Sequence, residues 1–343
     1  MGAAGVFAFA PLGASPIVAN ANEMVDQINT KADGENIKYA PSPLGLDPEN
    51  DPVIYTTESG LEIKYGGESV SDQLASSQPL AGYPYFTMGT YNGYAVNWVI
   101  IGRNTNDTVF TSAISSYLYS TWKTNNNVSS ATFTTKAKYW FNGGGYETTT
   151  PAGSAINGVV PSKSYVADVT KATKSVVGKD EVPSGCVLAV SEKCLGAAVF
   201  NTAAKANYET SSIKPLFDNL YSSGLGLTSA QKALIKSQTI QSTTSTNTTV
   251  TSSSKYFFPF AYTISGYTQA YCIQTYLTSN ALRISYDIGT TTARQYWTRS
   301  GSIQYGADAY YVTTAGGFGD CGGEPNVDNV TGGVRPICII KLG

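Results

Sequence analysis

The chain has 343 residues, a formal net charge of −2, 13% charged and 12% aromatic residues, and no histidine. Aromatic richness with little charge excludes a disordered chain, and near-neutrality without a basic run lacks the electrostatic footprint of nucleic-acid binding. Without imidazole there is no Ser-His or Cys-His nucleophile pair, no histidine base and no histidine metal ligand, which leaves carboxylates, Tyr, Lys and Cys for any catalysis.

Residues 2–18 are small and apolar and are followed by Ala19-Asn20-Ala21. Residues 1–21 therefore read as the apolar region and cleavage site of a secretory signal, although the expected basic start is missing. The competing reading is a buried N-terminal segment of a cytosolic or viral structural protein. Residues 22–80 are polar and rich in Pro and Ser, as an extended linker would be. Within them, Val53 to Tyr65 predicts a β-hairpin turning at Ser59-Gly60. No other apolar run approaches the ~20 residues of a transmembrane span.

From Tyr83 the pattern turns to β. Residues 85–89 and 95–101 are strand-like and joined by Asn92-Gly93, a two-residue hairpin signal. Residues 102–185 have weak periodicity and read as loops with a few short elements. Residues 187–190 predict a buried strand. Ser211 or Ser212 caps a predicted helix with Ile213, Leu216, Phe217 and Leu220 on one face and Pro215 in its first turn. Thr228 caps a second, with Leu234 and Ile235 on its apolar side. The Thr/Ser tract at 241–254 reads as a solvated loop. Strand-like pieces follow at 256–262, 310–313 and 334–342. Helices between sheet-forming ends predict an α+β fold rather than a parallel α/β sheet.

The five cysteines suit an exported chain with disulfides and one remaining thiol, the preferred pairs being Cys186 with Cys194 and Cys321 with Cys338. The alternative is that all five are small buried apolar residues.

Several pieces in order resemble a family of bacterial and phage-borne domains of unassigned function with a C-type-lectin-like, or formylglycine-generating-enzyme-like, fold. They are Phe86 through the Asn92-Gly93 turn to Trp98 and Ile100, residues 187–191, residues 208–213 with the helix pair, Tyr296-Trp297-Thr298-Arg299-Ser300, residues 311–316, and Gly333-Val334-Arg335-Pro336. The resemblance covers 83–101 and 186–343, and residues 102–185 stand as an insertion where the family has a short turn. It implies a domain over 81–343 whose N- and C-terminal strands pair, with two helices and a long irregular loop region. Trp297, Arg299 and Arg335 are then framework residues, the arginines satisfying several carbonyls. The other use of Arg299 and Arg335 is to bind an anionic ligand.

Candidate ligand-binding residues are Tyr305, Asp308, Tyr310, Glu324 and Asn326, with Tyr296 and Phe318 as further loop-region aromatics. Tyrosine offers wide contact area and a polar tip. Glu324-Pro325-Asn326 is similar to the tripeptide with which sugar-binding C-type lectins hold Ca2+. Asp320, Glu324, Asn326 and Asp328 would supply the oxygen ligands a hard cation needs, and Ca2+ is the one cofactor considered. The partner Trp-Asn-Asp segment is absent, and Asp and Asn also favour plain turns. Cys321 and Cys338 imitate the paired cysteines of the formylglycine-generating enzyme by position, but residues 319–323 lack its pattern.

The expected function is a secreted or surface-displayed, non-catalytic binding and adhesion module that recognises a glycan or a surface protein through loops. The first alternative is a structural subunit of a surface filament, layer or phage particle that self-assembles when Val53 to Tyr65 adds to a neighbour's sheet. The second is a formylglycine-generating-type oxidase.

Overall fold

The computed structural model describes residues 38–67, 82–107, 176–203, 205–244, 246–263, 269–278, 280–303, 307–319 and 331–343. The protein is mostly β-sheet with a few short helices, an α+β-like class. The predicted N-terminal hairpin forms from β1 (Val53–Thr56) and β2 (Glu62–Gly66), paired antiparallel. It is no appendage on a linker, because β2 continues onto β3 (Tyr83–Tyr91) and joins the main sheet. Strand β3 and β4 (Tyr94–Arg103) meet at the expected turn, where Asn92 and Gly93 take φ of 50° and 78°. Positive φ at both central residues matches the right-handed twist of the flanking strands.

Two-residue β5 (Val177–Gly178) runs parallel to β4. Strand β6 (Cys186–Ser191) pairs with β4 on one side and with the last strand on the other, so the expected direct pairing of opening and closing strands does not occur. All six residues of β6 are buried. An apolar run covered on both faces belongs in the interior of a sheet.

A second sheet begins with β7 (Ala197–Val199). The predicted helices follow as α1 (Lys214–Asn219), running on into a π-helical turn at Leu220–Gly224, and α2 (Ser229–Leu234). Thr228 and Gln231 form a reciprocal capping box on α2, the arrangement that satisfies two orphan donors at once. Strand β8 (Ile235–Lys236) then edges the first sheet. The Thr/Ser tract is not a loop: β9 (Gln238–Thr243) and β10 (Thr249–Lys255) pair antiparallel. Threonine suits a pleated surface, and alternation buries Ile240, Ser242 and Ser252. Short helices α3 (Ile273–Tyr276) and α4 (Asn280–Arg283) precede β11 (Tyr296–Gly301), β12 (Ala309–Val312), β13 (Phe318–Gly319), β14 (Thr331–Gly333) and β15 (Ile337–Lys341).

The first sheet has the order β1-β2-β3-β4-β6-β15-β8 with β5 beside β4, and the second β13-β12-β11-β14-β7. Five inter-strand steps separate β1 from β15, about 24 Å in a flat sheet. Yet the Tyr55 hydroxyl donates to the Leu342 carbonyl at 3.0 Å. The first sheet therefore curls round until its first strand reaches the end of β15, as strand twist and stagger allow.

Phe86, Met88 and Trp98 face the core inside this curl, and Trp98 stacks on Phe257. The opposite face of β3 and β4 is covered by residues 38–51, here called the strap, which bury Leu44 and Leu46. The Ala95 amide donates to the Lys38 carbonyl at 2.9 Å and the Tyr85 hydroxyl to Asp51 at 2.7 Å. Ser42 donates its hydroxyl to Glu192, whose other oxygen accepts from Asn97 Nδ2 at 3.1 Å.

Burial raises the pKa of Glu192 above its ordinary 4.5, against the lowering effect of those two hydrogen bonds. The fold thus prefers the protonated acid. Its stabilising contribution is complete below the unfolded value and is lost as pH rises through the folded one. Urea midpoints followed from pH 4.5 to neutrality should fall relative to those of Glu192→Gln, which carries no titrating proton. Parallel curves for the two proteins would contradict this.

Candidate functional site

Strand β11 carries Tyr296, Trp297 and Arg299, all fully buried. Arg299 donates to the carbonyls of Gln241, Pro259 and Ala270 at 2.7, 2.7 and 2.5 Å. Arg335 donates to the carbonyls of Ser191, Leu282 and Arg283 and to the Tyr296 hydroxyl, at 2.9–3.1 Å. Both guanidinium groups are sealed from solvent and occupied by the backbone, so they are framework residues and not an anion site. Trp297 donates from its indole to Ala198 at 2.9 Å and lies against Gly332, where an added Cβ would come within 2.6 Å of the ring. Tyr296 is taken out of the candidate surface because its hydroxyl points inward to Arg283 and Arg335.

Tyr310 stands differently. Along β12, Ala309 and Val312 are buried while Tyr310 and Tyr311 are half-buried. Tyr310 stacks on Tyr262 with centroids 4.2 Å apart, and Tyr262 meets the edge of Phe318 at 5.2 Å. The Arg283 guanidinium lies 4.9 Å over Phe318, fixed by hydrogen bonds to the carbonyls of Gly316 and Leu277. Together they form an aromatic surface at the β12–β13 side of the second sheet. Asp308, half-buried, lies two residues before Tyr310, and its backbone carbonyl accepts from Ser302 at 2.8 Å. Tyr262 and Arg283 are not legible as site residues: Tyr262 closes the strand-like run 256–262, Arg283 ends the short helix Asn280–Arg283, and only the fold brings them to Phe318.

Tyr305, Asp320, Cys321, Glu324, Asn326 and Asp328 lie outside the described residues. Among the described residues, no group of three or more His, Cys, Asp or Glu is placed to hold a metal.

The cysteine pairing needs correction. Cys186, Cys194 and Cys338 are free and buried, as is Cys272. Cys186 opens β6 and Cys194 lies beyond its other end. The strand alone spans about 16 Å, far more than a disulfide bridges. Cys338 sits inside the first sheet, opposite Ala189. Burial pushes the Cys194 thiol up to about 12 and raises those of Cys186 and Cys338.

A cleft of about 380 Å³ opens at the seam of the curled sheet. One wall is the β1–β2 turn and β2, with Ser59, Leu61, Glu62 and Lys64. The other is α2 with its cap, giving Thr228, Gln231 and Leu234, and Tyr39 and Pro48 of the strap complete the rim. A shallower groove along α1 has its charges engaged, Glu209 with Lys214 at 2.7 Å and Asp218 with Lys255 at 2.9 Å.

A family profile described as a domain of unknown function (DUF6273) matches residues 185–342, the stretch from just before β6 to just after β15. No curated protein and no solved structure matches the chain. Among the described residues, no helix is long and apolar enough to cross a membrane.

Proposed function

We propose that the chain is a secreted or surface-displayed binding module of C-type-lectin-like fold that recognises a glycan or a protein through the aromatic surface of the second sheet. The observation that carries this reading is the Tyr262–Tyr310–Phe318 cluster with Arg283 over its edge. Rigid, half-exposed aromatics with polar tips supply contact area at small entropic cost. The non-catalytic part of the proposal is supported by the buried thiols of Cys186, Cys194 and Cys338: a cysteine held protonated is a poor nucleophile, which also weighs against Cys338 as half of an oxidase pair.

A glycan array with the full chain tests the proposal. The Tyr310→Ala and Phe318→Ala variants should lose about tenfold or more in affinity for whatever the array captures, since a contact aromatic is worth at least ~1.4 kcal/mol. Unchanged binding in both variants would remove the site from this surface. Loss of binding with a chelator would assign Ca2+ to Asp320, Glu324, Asn326 and Asp328; unaltered binding would dismiss the ion.

The structural-subunit reading has one observation in its favour. Strand β1 pairs only with β2 among the described residues, and Val53 on it is 42% exposed. An open edge of that kind is where another chain's strand could add.

A further inference from the structure

We infer that the seam cleft between β2, α2 and the strap is a second binding site, separate from the aromatic surface, and that it takes a short neutral saccharide. Its volume, about 380 Å³, lies within the ~300–1,000 Å³ range of small-ligand sites. Tyr39 on the rim is 39% exposed and, with Val53, makes up the exposed large hydrophobic residues among those described. Leu61 and Leu234, both buried, give the cleft an apolar floor. An aromatic plate above an aliphatic floor suits a ring with apolar C–H faces.

The polar lining narrows the ligand class. Lys64, the cation of the cleft, donates Nζ to the Pro48 carbonyl at 2.5 Å. Glu62, two residues earlier on β2, pairs through its backbone with Thr56, while its carboxylate makes no hydrogen bond or ion pair among the described residues and is left as an acceptor. Thr228 accepts from the Gln231 amide at 3.2 Å, and Gln231 Oε1 accepts from the Thr228 amide at 3.0 Å. Those bonds hold both side chains in place and leave the Thr228 hydroxyl proton and the Gln231 Nε2 protons free to donate. The cleft therefore presents one carboxylate acceptor and preset neutral donors around an aromatic ring.

An anion meets no free cation there and a carboxylate that repels it. A wholly apolar ligand would strand these donors. A cation finds Glu62 opposed by Lys64, so the local field is close to neutral. A polyhydroxylated neutral molecule matches the remaining set, with hydroxyls on Glu62, Thr228 and Gln231 and one face on Tyr39.

The test is calorimetric titration of the full chain with maltose and with N,N′-diacetylchitobiose, one disaccharide bearing hydroxyls alone and one bearing acetamido groups. Saturable binding of at least one is expected. Tyr39→Ala should weaken it about tenfold and Tyr39→Phe should keep most of it, while Glu62→Gln weakens it several-fold. Tyr310→Ala should leave it unchanged, which separates this site from the aromatic surface. Tyr39 lies on the surface, and an unaltered urea midpoint for its variants shows that they fold. Binding of neither disaccharide, or binding that survives both Tyr39→Ala and Glu62→Gln, overturns the assignment. So does Tyr39-dependent binding of a lysine tripeptide in place of the sugars.

Discussion

Replacing Arg299 with Leu should lower the free energy of unfolding by about 3–5 kcal/mol, the range for breaking a buried charged network. The side chain gathers carbonyls from β9, from Pro259 and from Ala270, and its guanidinium lies 5.9 Å from the Phe258 ring. None of these partners is a carboxylate; backbone dipoles alone hold the charge. Burial lowers the pKa to about 10, which still leaves the group charged at neutral pH. A leucine would orphan three carbonyls, each worth about 1–3 kcal/mol when desolvated without a donor. Arg299→Lys should recover little, because one ammonium on a flexible stem cannot reproduce a planar fork reaching three directions. Urea titration checks both variants, and a loss below about 1 kcal/mol for the leucine would refute this account. Since single domains hold only about 5–15 kcal/mol, the leucine variant should sit near its unfolding threshold.

Trp98→Ala should cost a similar amount, about 3–5 kcal/mol, as a large buried aromatic truncated in a packed interior. The ring stacks on Phe257 at 5.2 Å and lies 6.5 Å from Phe86, nearly parallel to it. Its indole N–H donates to the Met88 carbonyl at 2.9 Å. Alanine therefore opens a cavity and also leaves that carbonyl unpaired. Trp98→Phe restores most of the volume without the donor and should lose about 1–2 kcal/mol, in line with one orphaned carbonyl. Equal urea midpoints for the alanine variant and the parent protein would show that Phe257 gains nothing from the stack.

Local chemistry made much of this structure readable. Asn92-Gly93 specifies its turn because few residues tolerate positive φ twice in succession. Thr228 is legible as the cap of α2 because a hydroxyl just before a helical run accepts from the free amides of the first turn. The framework role of Trp297, Arg299 and Arg335 came with the family resemblance, and for the two arginines it fits a guanidinium that can serve several carbonyls at once. Where neighbours distant in sequence decide, local chemistry is silent. The β9–β10 hairpin looked like low complexity because few of its buried positions are apolar, Ser242 and Ser252 among those that are not. The strap looked like a linker because its anchor, Ser42 on Glu192, reaches across 150 residues. Tyr296 looked like Tyr310 because a strand buried on both faces carries no alternation to say which tyrosine turns inward. The cleft draws on strap, β2 and α2 together, so no single segment could announce it.

The position of β15 has a bearing on how the protein is made. Residues 337–341 follow every other described strand in the chain, yet they seat between β6 and β8, in the interior of the first sheet. Until the ribosome has released them, β6 must wait with one flank unpaired and its apolar residues uncovered. Nascent chains halted before Ile337 would therefore carry a sticky flank, the condition in which incomplete sheets aggregate. Completion of the first sheet therefore waits for residues 337–341 rather than for its first hairpin.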